Sequence, residues 1–124
     1  MKNCQIVYVP IAVPTFDQAA ITRAFAASRE LLLELSPDAA VPEEPLLSVQ
    51  ALADYLDPLS PRLLIVQNLS FANAAYPAEV LRTFPDVPVL LWALREGKGD
   101  GGRLRLNSLT GSFSAANTFR QLRD

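Results

Sequence analysis

The 124-residue sequence predicts an α/β fold, an open parallel sheet of about four strands with helices on both faces. Short β-rich runs alternate along the chain with segments of helical period. Leu63-Leu64-Ile65-Val66 and Val89-Leu90-Leu91-Trp92 are unbroken apolar runs, the pattern of strands covered on both faces. Capping residues and prolines then punctuate each unit. With 50% hydrophobic and 19% charged residues, the chain has the composition of one folded domain with a real core.

Ile6-Val7-Tyr8-Val9 reads as the first strand, ended by Pro10. Thr15 opens a helix, with Gln18 completing a capping-box pattern, and Ser36-Pro37 stops it. Ile21, Phe25, Leu32 and Leu35 recur on one face of that helix and point to a sheet. A brief edge strand around Ala39–Val41 would supply the fourth strand, since edges tolerate proline. Ser48 caps a second helix through Leu56, which Asp57-Pro58 ends. The strand at Leu63–Val66 follows. Pro77 then suits the first turn of a helix that runs through Phe84. Pro88 to Ala93 is the next central strand, and Gly111 or Ser112 to Leu122 is the last helix. Only Gly97 to Gly102 is composed like a flexible loop.

Charge and cysteine content narrow the function. The net charge is −2, so there is no general basic footprint for nucleic acid. Residues 95–124 nonetheless carry six Lys/Arg against three Asp/Glu, while residues 1–94 carry five against ten. Any anion would meet the carboxyl-terminal part of the chain. Cys4 is the single cysteine, which excludes an internal disulfide and an all-cysteine zinc site. With no histidine in the chain, it also lacks an imidazole to activate it and reads as a small core or edge residue. No apolar run is long enough for a signal peptide or a membrane span, and the expected location is cytoplasmic, without a membrane partner.

In an open parallel sheet, ligands meet the loops after the strand carboxyl ends. Eight candidate residues fall there: Thr15, Gln67, Asn68, Arg95, Glu96, Asn107, Ser108 and Thr110. Each has two readings. Thr15 is a helix cap or a ligand contact. Gln67 and Asn68 satisfy neighbouring backbone groups or meet a ligand. Asn107, Ser108 and Thr110 shape a turn, or present a binding corner where the first N–H groups of a helix point outward. Arg95 and Glu96 are solvated loop charges or, together, the working groups of a small enzyme. Signatures of phosphate-binding loops are absent: neither G-x-G-x-x-G nor G-x-x-x-x-G-K-[ST] occurs.

The ordered series Val7-Tyr8-Val9-Pro10-Ile11-Ala12-Val13-Pro14-Thr15-Phe16-Asp17, then Gln67-Asn68 with Phe71-Ala72, resembles the amino-terminal domain of L-fucose isomerase-like proteins, relatives of L-arabinose isomerase. The strongest part is Pro88 to Glu96 followed by Gly101 to Gly111, so that the resemblance spans residues 5–123. It implies a flavodoxin-like, Rossmann-like three-layer sandwich as a single domain. It also implies aldose–ketose isomerisation in the full-length family, with a divalent metal, usually manganese, held by later domains. No residue here matches those metal ligands, so no cofactor and no catalytic residue is expected in this chain, which alone is expected to be inactive. The implied role is assembly of a homo-oligomer and a contribution to a neighbouring subunit's sugar pocket through the eight candidates. The alternative is a stand-alone small-ligand-binding or assembly module of the same fold.

Overall fold

The computed structural model describes residues 2–94 and 108–123, with side chains from residue 6 onward. Cys4 lies in the first strand with its side chain outside the described set, and Arg95, Glu96 and Asn107 lie outside the described residues altogether. The element order is β1 (Lys2–Ile11), α1 (Gln18–Leu35), α2 (Val49–Leu56), β2 (Leu59–Asn68), α3 (Ala75–Thr83), β3 (Val89–Leu91) and α4 (Ser108–Arg123). The three strands form a parallel sheet in the order β1-β2-β3, with Tyr8 opposite Ile65 and Ile65 opposite Leu90.

Alternation along the strands sorts the core into two layers. Val7, Val9 and Ile11 of β1 and Leu64 and Val66 of β2 face α2, α3 and α4, meeting Leu52, Leu56, Tyr76 and Val80, with Phe119 at the margin. Tyr8 and Ile65 face the other way, against Ile21, Phe25 and Leu32 of α1. Leu52 and Leu56 are wholly buried, and each such side chain contributes about 1.5–3 kcal/mol relative to exposure. An α/β sandwich with helices on both faces is thus present.

Several boundaries differ from those the sequence suggests. The sheet has three strands among the described residues, not four: Ala40 and Leu46 form isolated bridges to Val7 and Ile11. Tyr8 N–H donates to the Ala40 carbonyl at 2.9 Å and Leu46 N–H to the Pro10 carbonyl at 2.8 Å, so this segment shields the outer edge of β1. Pro10 does not end β1. Tyr8 and Ala12 direct their N–H groups to that outer edge, so Pro10, lying between them, lacks its donor on the edge side, where proline is tolerated. Helix α1 is capped by Asp17, not Thr15: the carboxylate accepts from Ala20 N at 3.1 Å, while Gln18 Nε2 reaches back to the carbonyls of Val13 and Phe16. Ser48 caps α2 as expected, accepting from Ala51 N at 3.0 Å. Pro77 sits in the first turn of α3 as expected, whereas α4 starts at Ser108, one turn earlier than its glycine suggests. No helix among the described residues is long and apolar enough to cross a membrane.

Candidate functional site

The carboxyl ends of β1 and β2 and the first turn of α4 meet at one corner. Strand period separates the two adjacent amides there. Gln67 turns toward α1 and Asn68 toward α4.

Gln67 is fully buried and both ends of its amide are engaged within the protein. The Tyr8 hydroxyl donates to Gln67 Oε1, and Gln67 Nε2 donates to Ser28 Oγ at 3.1 Å. Tyr8 lies parallel to Phe25 and tilted against Trp92, each ring centre 6.2 Å away. Burial pushes the Tyr8 phenol well above its usual range, opposed only in part by the Ser28 hydroxyl. The Tyr8–Gln67–Ser28 chain ties β1, β2 and α1 together.

Asn68 is equally buried, yet among the described residues neither its Oδ1 nor its Nδ2 has a hydrogen-bond partner. The first turn of α4 is pressed against it. A Cβ added at Gly111 would sit 3.1 Å from Asn68 Nδ2, 3.0 Å from the Ser70 carbonyl and 3.1 Å from Phe71 Cα. Glycine is what allows that approach. Ser108, one turn earlier on the same buried face, has a hydroxyl that is also unpartnered among the described residues. Ser112 donates to the Ser108 carbonyl at 3.0 Å. Ser70 pins the strand exit, since its Oγ accepts from Val13 N at 3.1 Å and donates to the Phe71 carbonyl at 3.1 Å.

Each buried polar atom costs about 1–3 kcal/mol unless a water or a ligand supplies its partner, and three such atoms of this corner have none among the described residues. An amide offers one acceptor and two donor hydrogens, and a serine hydroxyl offers both functions. Beside them, the first N–H groups of α4 lack intrahelical partners. The set complements hydroxyl groups, which both donate and accept, and an oxyanion at the helix start.

Of the eight candidates, Asn68 and Ser108 are the two buried on the α4 side of the sheet. Gln67 sits on the other side of the sheet, Thr15 is exposed in the turn before α1, and Thr110 is exposed on α4. Arg95, Glu96 and Asn107 lie outside the described residues. Sequence reasoning missed Ser70 and the packing role of Gly111; the small residues Ser108, Gly111, Ser112 and Ala115, at helical spacing, were the available signal. Among the described residues, no group of three or more carboxylate or cysteine side chains could hold a metal ion. One amide and one hydroxyl, without a carboxylate, do not make the oxygen set that a divalent cation takes.

No family model matches the chain, and no solved structure does. Curated relatives do. Over 124 residues, all of this chain, it is 48% identical to a sulfoquinovose isomerase from Clostridium sp. (strain MSTE9), of which it covers 28%. A sulfoquinovose isomerase from Priestia megaterium (strain ATCC 12872 / QMB1551) is 35% identical over 123 residues, 97% of this chain and 27% of the relative. One from Alkalicoccus urumqiensis is 32% identical over 117 residues, 93% of this chain and 26% of the relative. The chain thus spans about a quarter of the length of the curated relatives it matches. Those names are of isomerases for a sugar other than L-fucose or L-arabinose.

Proposed function

We propose that this chain is the flavodoxin-like, amino-terminal domain of a sugar isomerase related to the L-fucose isomerase-like enzymes, whose substrate is sulfoquinovose. Supporting this most strongly is similarity along essentially the whole chain to relatives that share one name. In this reading the domain performs no chemistry. It has no histidine, and its described residues offer no metal-binding cluster. The divalent cation, manganese by family resemblance, and the proton-shuttling carboxylates belong to the rest of the polypeptide.

The domain's own contribution is binding and assembly in a homo-oligomer. Asn68 and Ser108 are the groups assigned to the sugar: the amide pairs with a hydroxyl that donates to Oδ1 and accepts from Nδ2, and the Ser108 hydroxyl completes the set. For sugar hydroxyls to supply the partners that these buried atoms lack, the first turn of α4 has to draw back from Asn68, which it covers completely in the chain alone.

Steady-state kinetics test the reading. A polypeptide of the relatives' length carrying this domain is expected to convert sulfoquinovose to a ketose with manganese present, and the 124-residue chain alone is not. Turnover by the short chain would refute the non-catalytic role. Absence of turnover in the long polypeptide would refute the substrate.

A further inference from the structure

Charge along α4 is one-sided. Its sequence, Ser108 to Arg123, contains no Asp or Glu, and its basic residues Arg120 and Arg123 stand in the last turn. Cations at the end of a helix offset its negative pole, and a carboxylate in the first turn would offset the positive one. Helix α4 has the cations and lacks the carboxylate. Its positive pole, at the turn packed on Asn68, is therefore not offset from within the helix. The chain's net charge follows the same trend, with six Lys/Arg against three Asp/Glu over residues 95–124.

A second observation, from β2, concerns the same turn. Asn68 Nδ2 lies 3.1 Å from the position a Cβ would take on Gly111, so the amide is directed at the start of α4. Its polar atoms and the Ser108 hydroxyl are buried and have no partner among the described residues. The sugar hydroxyl assigned to Asn68 occupies Oδ1 and one of the two Nδ2 hydrogens. What remains is a set of donors: the other Nδ2 hydrogen, the Ser108 O–H and the first N–H groups of α4, which lack intrahelical partners. A group with several acceptor oxygens and no proton complements that remainder. Asn68, Ser70, Ser108 and Ser112 are all neutral, which suits one negative charge better than two.

We infer that the first turn of α4 binds a sulfonate, with Ser108 Oγ, Asn68 Nδ2 and the N–H groups of the helix start as its donors. A sulfonate has three acceptor oxygens, a single negative charge and no proton at neutral pH. Because the turn covers Asn68 in the chain alone, the anion enters as the turn draws back. Identifying the anion as the sulfo group of sulfoquinovose rests on the proposed function; the donor set does not. On that identification, Asn68 spans the sulfo group and a sugar hydroxyl, and the corner selects the sulfonated sugar.

Methanesulfonate, titrated into the 124-residue chain in place of chloride at constant ionic strength, tests this by backbone amide NMR. The Ser108, Leu109 and Thr110 amides should shift saturably, and Ser108→Ala should weaken binding about tenfold. Thr110 is exposed in the same turn. Thr110→Glu should raise the melting temperature, because a carboxylate stabilises a helix start, yet weaken methanesulfonate binding about threefold or more. A purely structural role for the turn would not drive those two readouts apart. No saturable shift at these amides in the folded chain would overturn the inference, and so would undiminished binding by the Ser108→Ala and Thr110→Glu variants. In a polypeptide of the relatives' length, Ser108→Ala should cut the preference in kcat/KM for sulfoquinovose over quinovose, the parent sugar without the sulfo group, about tenfold. An unchanged preference in an active variant would overturn the inference and leave the isomerase reading standing. Methanesulfonate binding at α4 without sulfoquinovose turnover would uphold the anion site and fault the isomerase reading instead.

Discussion

Replacing Gly111 with alanine sets two well-defined effects against each other. In an ordinary helix interior the change stabilises by about 1 kcal/mol, because alanine loses less backbone freedom on folding. Here the new methyl group would lie 3.0 Å from the Ser70 carbonyl oxygen and 3.1 Å from both Phe71 Cα and Asn68 Nδ2. Two of those atoms are backbone, and Ser70 is further held by its bonds to Val13 and Phe71. They cannot swing aside as a side-chain tip could. Overpacking of this kind costs about 1–3 kcal/mol. The net expectation is a loss of about 1 kcal/mol, with α4 displaced from Asn68. Asn117→Ala, exposed in the same helix, is the control and should gain about 0.5 kcal/mol. Urea unfolding followed by circular dichroism reads both, and for Gly111→Ala the midpoint should fall by about 0.5 M at an unchanged slope. A rise in stability by the full helix-propensity gain would refute the close approach of α4 to residues 68–71.

Four further substitutions probe the same architecture. Asn68→Leu removes a buried amide without partners and should raise the stability of the short chain by about 1 kcal/mol or more, read by thermal unfolding; a loss would show that the amide is satisfied within the chain. Asp17→Ala should cost about 1 kcal/mol as a lost helix cap, whereas Thr15→Ala should stay within about 0.5 kcal/mol, and urea unfolding of the two variants distinguishes the true cap. Tyr8 keeps its proton in the fold well above the pH at which it ionises in the unfolded chain. Its stabilising contribution is therefore complete below about pH 10 and declines above it by up to 1.4 kcal/mol per pH unit, a rough upper slope. Tyr8→Phe should flatten that alkaline decline while lowering stability at neutral pH by about 1–3 kcal/mol, because Gln67 Oε1 loses its donor.

The order of strands and helices was legible in the sequence because caps and stops such as Ser48 and Asp57-Pro58 act locally. Tertiary context decided the rest. Pro10 reads as a terminator, but β1 runs through it because its missing donor falls on the edge side of the ladder. Pro61 likewise lies inside β2, where the pairing skips Gln5 opposite Arg62. Leu90 looks like the centre of a doubly covered strand, yet α1 covers it only in part and it is more than half exposed. Gly111 reads as the start of the last helix, while packing on Asn68 and Ser70 lets that helix begin a turn earlier. At the site, the alternation that sends Gln67 and Asn68 to opposite faces follows from their being neighbours on a strand. Which of them would be satisfied depended on Tyr8 and Ser28, distant in sequence, and local pattern carries no such information.

In the proposed function, Asn68 serves the sugar rather than the fold. Steady-state kinetics of Asn68→Leu in a polypeptide of the relatives' length measure this directly. Losing its hydrogen bonds to hydroxyl groups removes about 1–3 kcal/mol of binding, so KM for sulfoquinovose should rise about tenfold or more while kcat stays within about twofold. An unchanged KM in a folded, active variant would contradict the assignment.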